Sequence, residues 1–371
     1  MRALESMLTV ACAFVVALAT TQAHAAGPFE EALKIVRTPE LLATRAADAE
    51  KLFKSCVDKE PKAYEAWYNM GVLQLRRGDK AGARESFNRT LAAEPKHLAA
   101  KAQLAGLDLA NSATEATAFA ILTDIVEKED RYSAEARNLL AAYEIKRRNW
   151  DAAIKHGRNA LLGDKDNINA LLNIAIAYFK QRQFDQAGLV ASAGLESHPD
   201  AASLHNLMGL VYLQQDNSRQ ATESFTQALK WDPTFDDARI NLGALELSYG
   251  NFESALTRFE EALKKRPDDV DLVISRAVAL RGLGKFDDAE KGYLEAKRLA
   301  PGNADIDYNL CVLHQQYSQK MEAAEAACQA YVARIDRTSP KYAEVQKRLK
   351  SIEATLKVMR RTTPAPGTPN P

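Results

Sequence analysis

Apolar residues recur along this chain in paired stripes with helical spacing, and a short polar break divides each pair. Tyr249-Gly250-Asn251 and Leu283-Gly284-Lys285 are two such breaks. Apolar positions at i, i+3, i+4 and i+7 indicate amphipathic helices, whereas strands show strict alternation. The pattern therefore predicts an all-α chain built from short helical hairpins.

The hairpins repeat at a nearly constant period. A small residue recurs in the first helix at steps of 34 residues, with one step of 36. These small residues are Gly71, Ala105, Ala141, Ala175, Gly209, Gly243, Ala277 and Cys311. An alanine follows 12 residues later at 83, 153, 187, 221, 255, 289 and 323, and a proline closes units at 95, 199, 233, 267 and 301. Since no single hairpin can bury both of its apolar faces, the units must stack on one another.

The most complete unit, residues 236–269, displays the whole pattern. It carries, in chain order, Leu242-Gly243, Gly250, Phe252, Ala255, Phe259, Ala262 and Pro267. These residue types at these offsets resemble the tetratricopeptide repeat. The resemblance implies a right-handed superhelical solenoid of antiparallel helix pairs, whose first helices line a concave groove that grips partner peptides.

The phase of the repeat divides the rest of the chain. Units begin near residues 64, 98, 134, 168, 202, 236, 270 and 304 and fill residues 64–337, after a degenerate repeat at 26–63. The unit near 98 is weaker and has a small insertion around Ala110-Asn111-Ser112. Residues 338–361 carry one apolar stripe, which predicts a C-terminal capping helix, with a coiled-coil contact as the alternative. The proline-rich residues 362–371 are expected to be disordered.

The first 25 residues have the pattern of a secretory signal peptide. The segment from Met7 to Ala19 is almost wholly apolar, and Ala23-His24-Ala25 supplies the small-x-small pattern that precedes a cleavage site. We expect cleavage after Ala25 and export to the periplasm, or to the periplasmic face of the outer membrane. Lipidation of Cys12 is the alternative. No later segment has the length and apolarity of a membrane span.

Overall charge and composition narrow the classes of partner. The 371 residues include 49 basic and 49 acidic side chains, so the net charge gives no support for non-specific binding to nucleic acid or to a membrane surface. A protein partner fits better, and the oligomeric state is left open.

We find no constellation of residues that predicts catalysis, a metal site or a cofactor. The chain lacks a glycine-rich phosphate loop, a nucleophile elbow and an HExxH motif. Its histidines are scattered through different units, and partial burial explains His205 and His314. Cys311, Cys328 and His314 together offer three zinc ligand types, but their spacing is not that of a zinc finger or ribbon. We therefore predict a protein that is not an enzyme.

The fifth, ninth and twelfth residues of each unit share one face of the first helix, and this face is mostly apolar. The twelfth residues include Leu75, Ile145 and Phe179. The candidate partner-binding residues are Tyr68, Val72, Leu172, Ile176, Asn206, Leu210, Leu213, Ile240, Ala244, Leu247 and Ile274. The lysine clamp of carboxylate-binding relatives is absent, so that function does not follow from the resemblance.

Two interpretations of this face stay open. The side chains either bind an extended or helical partner segment, or they pack against the next unit. A neighbouring row of asparagines either bonds a partner's backbone or ties adjacent first helices together; the row is Asn69, Asn173, Asn241 and Asn309.

Two cysteines of the last unit form the second candidate site. Cys311 takes the small position of the first helix, and Cys328 lies beside the position that Phe225 and Phe259 take in other units. These positions face each other, and an exported protein can keep a disulfide, so we predict a Cys311–Cys328 disulfide. Cys56 is expected to remain a buried thiol.

A non-enzymatic scaffold or assembly factor of a bacterial envelope is the function that these observations favour. A secretion, pilus or gliding-motility machine is one setting. The alternative is a binding or regulatory subunit for peptidoglycan or polysaccharide synthesis or export.

Overall fold

A computed structural model describes residues 27–362, and no strand occurs within that range. Nineteen helices follow one another there. They are α1 (Pro28–Arg37), α2 (Pro39–Lys59), α3 (Tyr64–Arg76), α4 (Lys80–Ala93), α5 (Leu98–Asp108), α6 (Glu115–Asp124), α7 (Ala134–Lys146), α8 (Trp150–Gly163), α9 (Ile168–Lys180), α10 (Phe184–Ser197), α11 (Ala202–Gln214), α12 (Ser218–Trp231), α13 (Asp236–Ser248), α14 (Phe252–Leu263), α15 (Val270–Gly282), α16 (Phe286–Leu299), α17 (Ala304–Val312), α18 (Met321–Val332) and α19 (Pro340–Thr362). The predicted all-α fold of tandem helix pairs is confirmed.

Two compact units make up the chain, the first ending at Ala238 and the second beginning at Arg239. The first unit holds α1 to α12 and the start of α13, and the second holds the remainder. The predicted signal peptide, residues 1–25, lies outside the described residues, as does the predicted tail from residue 363 onward.

The degenerate N-terminal repeat forms α1 and α2. Proline begins both helices, which suits a residue that has no backbone N–H to donate. Ala49, Phe53 and Cys56 of α2 are buried in one core. The two helices α1 and α2 therefore bury apolar side chains as the regular repeats do.

Most of the hairpin turns contain one residue in the left-handed backbone conformation. Glycine supplies it at Gly78 and Gly250, with φ of 80° and 78°. Residues with a Cβ take the same conformation in four other hairpins, namely Arg148, Arg182, Asp216 and Gln319. Because such residues lose about 1 kcal/mol or more in this region, their presence needs a local reason.

Within a hairpin, a small residue of the first helix lies against an aromatic ring of the second. A Cβ built on Gly71 would approach the Phe87 ring to 2.8 Å, and one on Gly209 would overlap Phe225. Both rings are fully buried. The glycine and the ring therefore form one complementary pair.

The 36-residue step arises from two single-residue insertions. Ala118 is the buried alanine of α6 and follows Ala105 by 13 residues, because α5 and the loop after it are together one residue longer than their counterparts in the preceding unit. The second insertion is the π turn Ile125–Glu129, which continues α6. Sequence placed only the first of these insertions.

A π turn also shifts the register of the last repeat. The turn Leu313–Tyr317 continues α17 and adds one residue before α18. As a result Ala324 is the fully buried alanine, whereas Ala323, which the constant phase picks out, is half-buried. The predicted position was wrong by one residue in this unit alone.

The last helix, α19, packs its apolar stripe in the second unit next to α18. Val345, Leu349, Ile352 and Leu356 are buried, while Met359 is 45% exposed. The buried stripe thus ends near Leu356, although the apolar spacing in the sequence continues to Met359.

Candidate protein-binding groove

Most of the predicted groove residues of the first unit are buried between helices. Tyr68, Val72, Leu172 and Ile176 are 1 to 5% exposed. Asn206 and Leu210 are buried as well, and Leu213 is half-buried. The packing interpretation accounts for these side chains, since little of their surface is left for a partner.

The predicted residues of the second unit divide in the same way. Ile240 is buried at 1% exposure, and Ala244, Leu247 and Ile274 are half-buried. The half-buried residues keep some surface for contact with another chain.

The asparagine row makes hydrogen bonds inside the protein. Asn173 Nδ2 donates to the carbonyl of Asn138 in the preceding unit, at 3.2 Å. Asn69 and Asn309 donate to carbonyls one turn earlier in their own helices, Glu65 and Asp305. For Asn173, the bond between adjacent first helices is the interpretation that the structure supports.

A large open cavity lies within the first unit, along the C-terminal ends of its first helices. Its volume is about 1060 Å³. The lining is Leu75, Lys80, Gln103, Gly106, Leu107, Leu109, Ala110, Leu139, Ala142, Tyr143, Ile145, Lys146, Arg148, Trp150, Phe179, Lys180, Arg182, Phe184 and Gln214. Five repeats in a row contribute, so stacking of the repeats creates the cavity. Three twelfth-position residues of the predicted face, Leu75, Ile145 and Phe179, belong to it.

The floor of the cavity is apolar, and its rim is basic. Five cations line it, and no aspartate or glutamate does; the cations are Lys80, Lys146, Arg148, Lys180 and Arg182. All except Lys180 are exposed. The guanidinium of Arg182 also lies over the ring of Phe184, 5.8 Å from its centroid. One-signed charge over an apolar surface favours an occupant that is both acidic and apolar.

Carboxylates near the cavity are held by other groups. Glu115 accepts a hydrogen bond from the hydroxyl of Tyr143 at 2.7 Å and one from Arg147 at 3.2 Å. The bond to Glu115 raises the pKa of Tyr143, because it favours the protonated phenol. Asp151 accepts from Gln181 at 2.8 Å. Both carboxylates therefore have hydrogen-bond partners within the protein.

Titratable groups elsewhere in the first unit are shifted by burial. Burial raises the pKa of Tyr68, and the nearby carboxylate of Glu135 acts in the same direction. Burial also lowers the pKa of His156 to about 4, and the charge of Arg137 adds to this. Arg137 Nη1 lies 3.2 Å from His156 Nδ1. Burial within the helix packing is the largest cause of both shifts.

The two cysteines of the second unit are brought together. Cys311 and Cys328 are both fully buried, with their sulfur atoms at bonding distance and their Cα atoms 5.0 Å apart. The π turn before α18 places Cys328, and not Ala327, opposite Cys311. The pair therefore takes the place of the glycine and the aromatic ring of other hairpins. Cys56 is a buried free cysteine.

Among residues 27–362, no group of three His, Cys, Asp or Glu side chains is arranged to hold a metal ion. No helix in the described part of the chain is long and apolar enough to cross a membrane.

Comparison with known families identifies the repeat. Three family profiles, each described as tetratricopeptide repeat, match residues 40–107 and 144–211, residues 202–235, and residues 240–304. Together they cover more than half of the chain. The chain belongs to the tetratricopeptide repeat family. Proteins built from these repeats generally act as scaffolds and not as enzymes.

Curated relatives of this tetratricopeptide repeat chain are distant. Peroxisomal targeting signal receptors of Eremothecium gossypii and Candida albicans are 23% identical over 199 and 233 residues, or 53% and 58% of this chain. Those stretches cover 34% and 37% of the receptors, so the chain matches about a third of their length.

Solved structures share the fold at low identity. The Cut9–Hcn1 hetero-tetramer of APC/C aligns with a TM-score of 0.68 and 14% identity, covering 84% of this chain and 60% of that one. Yeast Tom70 aligns at 0.53 and 17% identity over 93% and 72%. PilW, described as a type IV pilus biogenesis factor, aligns at 0.51 and 20% identity over 57% and 98%.

The basic rim was missed in the sequence, although a signal for it was present. Lys146-Arg147-Arg148 and Lys180-Gln181-Arg182 lie 34 residues apart, at the end of the first helix of two successive tetratricopeptide units. Basic residues at helix C-termini are common for electrostatic reasons, so this recurrence does not by itself indicate a site. Arg148 and Arg182 share a positive φ with Asp216 and Gln319, but of these four residues only the two arginines line the cavity.

Proposed function

We propose that this chain is a non-enzymatic scaffold that binds a segment of a partner protein in the cavity of its first unit. The observation that carries the proposal is the cavity of about 1060 Å³, formed by five stacked repeats and floored by aliphatic and aromatic side chains. Binding sites of small ligands commonly span about 300 to 1,000 Å³, so this space is large enough for several residues of a peptide.

The site can be blocked without disturbing the core. Ala110 lines the cavity and is exposed, so a tryptophan there fills the space while leaving the helix packing intact. We expect Ala110→Trp to reduce partner binding at least tenfold, or about 1.4 kcal/mol, with an unchanged helical circular dichroism spectrum. By contrast Leu210→Asp or Ile176→Asp would place a charge in the core and unfold the repeat.

The partner is to be sought with a photo-crosslinking amino acid at position 110, in cells that make the full chain. A matched control places the same group at Leu162, an exposed residue outside the cavity lining. The proposal predicts that a partner protein is crosslinked from position 110 and not from position 162. The crosslink at position 110 should disappear when a larger side chain replaces Ala142, a neighbouring lining residue. Equal labelling at both positions would argue against a groove site.

We further propose that the scaffold works in a bacterial envelope, as an assembly factor of a secretion, pilus or gliding-motility machine. The signal-peptide pattern of residues 1–25 supports export, and a buried cysteine pair suits an oxidising compartment. The fold that PilW shares is compatible with this setting. N-terminal sequencing of the protein from a periplasmic fraction should begin at Ala26; a cytosolic protein beginning at Met1 would contradict export.

A binding or regulatory role toward peptidoglycan or polysaccharide is the second candidate. The observation in its favour is the aromatic share of the cavity lining, which consists of Tyr143, Trp150, Phe179 and Phe184. Sedimentation with insoluble peptidoglycan separates the two candidates. Only the peptidoglycan-binding role predicts that the protein sediments with this polymer and that Trp150→Ala abolishes the sedimentation.

A further inference from the structure

We infer that the cavity of the first unit selects an acidic segment of its partner protein, with apolar side chains on the floor and carboxylates at the rim. This inference rests on the proposed function and adds the chemical class of the occupant. Five cations and no carboxylate line the cavity, although the whole chain balances 49 basic against 49 acidic side chains. The rim is therefore a local concentration of positive charge, and an acidic partner complements it.

Two of the rim arginines are held in an unfavourable backbone conformation. Arg148 and Arg182 have φ of 61° and 64° at the hairpin turn, where Gly78, Gly250 and Gly284 serve in other repeats. Glycine would relieve the strain, yet arginine occupies the two turns whose left-handed residue itself lines the cavity. Strained residues concentrate at binding sites, where the surrounding structure tolerates them for the sake of their side chains. This conformation projects two guanidinium groups from successive repeats, one period apart.

The floor identifies the occupant as a peptide. Leu75, Leu107, Leu139 and Ile145 line it beside the aromatic rings, and aliphatic side chains match those of an amphipathic segment. A site for single-stranded nucleic acid would instead combine a continuous basic groove with aromatic rings that stack on the bases. The chain's own ends do not complement the rim, since residues 1–26 contain one acidic side chain and residues 363–371 contain none. The inference therefore assigns the acidic groups to a partner protein.

The test uses two fluorescein-labelled peptides that differ only in charge. One alternates glutamate with leucine around a single tryptophan, and the other has lysine in place of every glutamate. A labelled oligothymidine of similar length is the third probe. Fluorescence anisotropy with the full mature chain should show the acidic peptide binding about tenfold more tightly than the lysine peptide, and less tightly as salt is raised.

Arg148→Gly with Arg182→Gly removes the charges at positions where glycine is the favoured residue, so the double variant should fold at least as well as the parent. We expect about tenfold weaker binding of the acidic peptide. Asp216→Gly is the matched control, because Asp216 has the same left-handed conformation (φ 56°) and does not line the cavity. It should bind the acidic peptide as the parent does.

The outcomes separate this inference from the proposed function. Acidic-peptide binding that falls in the double arginine variant and holds in Asp216→Gly supports it. Equal binding of the two peptides, tighter binding of oligothymidine, or no loss in the double variant overturns it. Blocking by Ala110→Trp tests the groove independently of charge, so a groove that binds a neutral segment would leave the proposed function standing and this inference refuted.

Discussion

The cysteine pair of the last repeat can be exchanged for the pair that other repeats use. Cys311 and Cys328 stand where Gly209 and Phe225 stand in another hairpin, because the π turn Leu313–Tyr317 supplies the extra residue between them. The perturbation is the double variant Cys311→Gly/Cys328→Phe. It should fold, and its stability should no longer respond to reductant.

The magnitude follows from the length of the loop that the bond closes. The cysteines are 17 residues apart, and closing a loop of this length stabilises the protein by about 3 kcal/mol in the chain-entropy model. Burying a phenylalanine ring stabilises a protein by about 1.5 to 3 kcal/mol. The unfolding free energy of the double variant should therefore lie within about 2 kcal/mol of that of the oxidised parent. Cys328→Phe alone keeps a side chain at Cys311 and should lose about 1 to 3 kcal/mol more through overpacking.

The effect should stay local, since each repeat contacts only its neighbours and such arrays do not unfold in one step. Hydrogen exchange followed by mass spectrometry is therefore the assay, with and without dithiothreitol. In the parent, reductant should speed exchange in α17 and α18 and leave α7 to α10 unchanged. In Cys311→Gly/Cys328→Phe, reductant should change neither region.

Thiol counting gives the refuting result directly. Alkylation of the denatured mature protein without reductant should modify Cys56 alone, and reductant should expose Cys311 and Cys328 as well. If three thiols react without reductant, the disulfide does not form, and the 3 kcal/mol expectation fails with it.

Three further predictions concern burial, charge and backbone strain. His156 has a pKa of about 4, against 6.5 for an ordinary histidine, because it is buried beside Arg137. Its contribution to stability is complete above pH 6.5 and is lost as the pH falls toward 4. In thermal melts over that pH range, His156→Gln should therefore reduce the pH-dependent change in unfolding free energy by about 1 to 2 kcal/mol. Asp307 is buried between Lys297, at 2.9 Å, and Arg334. In denaturant unfolding, Asp307→Asn should therefore destabilise the second unit by about 1 to 3 kcal/mol. Asp305 is exposed, so Asp305→Asn should change the stability by no more than about 0.5 kcal/mol. Arg148→Gly should raise stability by up to about 1 kcal/mol in the same assay, and a loss of stability would mean that the arginine makes a compensating contact.

The fold could be predicted from the sequence because the same packing pattern recurs in successive repeats. Gly71 and Phe87 recur as a small and a large residue at the same separation in other hairpins, and this repetition gave helix pairing, stacking and unit borders. What escaped it were the π turns. A residue added inside a helix leaves the apolar stripe nearly intact, so periodicity does not reveal it. The shift from Ala323 to Ala324 is visible only once the helix is built.

The groove was harder to predict, because one face of a first helix serves two purposes. Residues five and nine, such as Tyr68 and Val72, are needed for packing between repeats and are buried. Residues near the helix end, such as Ile145 and Phe179, reach the cavity. A single helical wheel cannot separate the two, since burial depends on how far neighbouring units lie from each position along the axis.

Two residues with a left-handed backbone conformation, Arg148 and Arg182, lie at the end of that face. Local turn chemistry predicts glycine after the first helix, and Gly78, Gly250 and Gly284 obey it. Arg148 and Arg182 disobey it in two successive repeats, and both of them border the cavity. Asp216 and Gln319 depart from it as well and do not line the cavity, so what sets the two arginines apart is the positive charge that they add to the lining. Charge at these two positions, and not the apolar face that all repeats share, is therefore the feature on which the proposed selectivity of this groove depends.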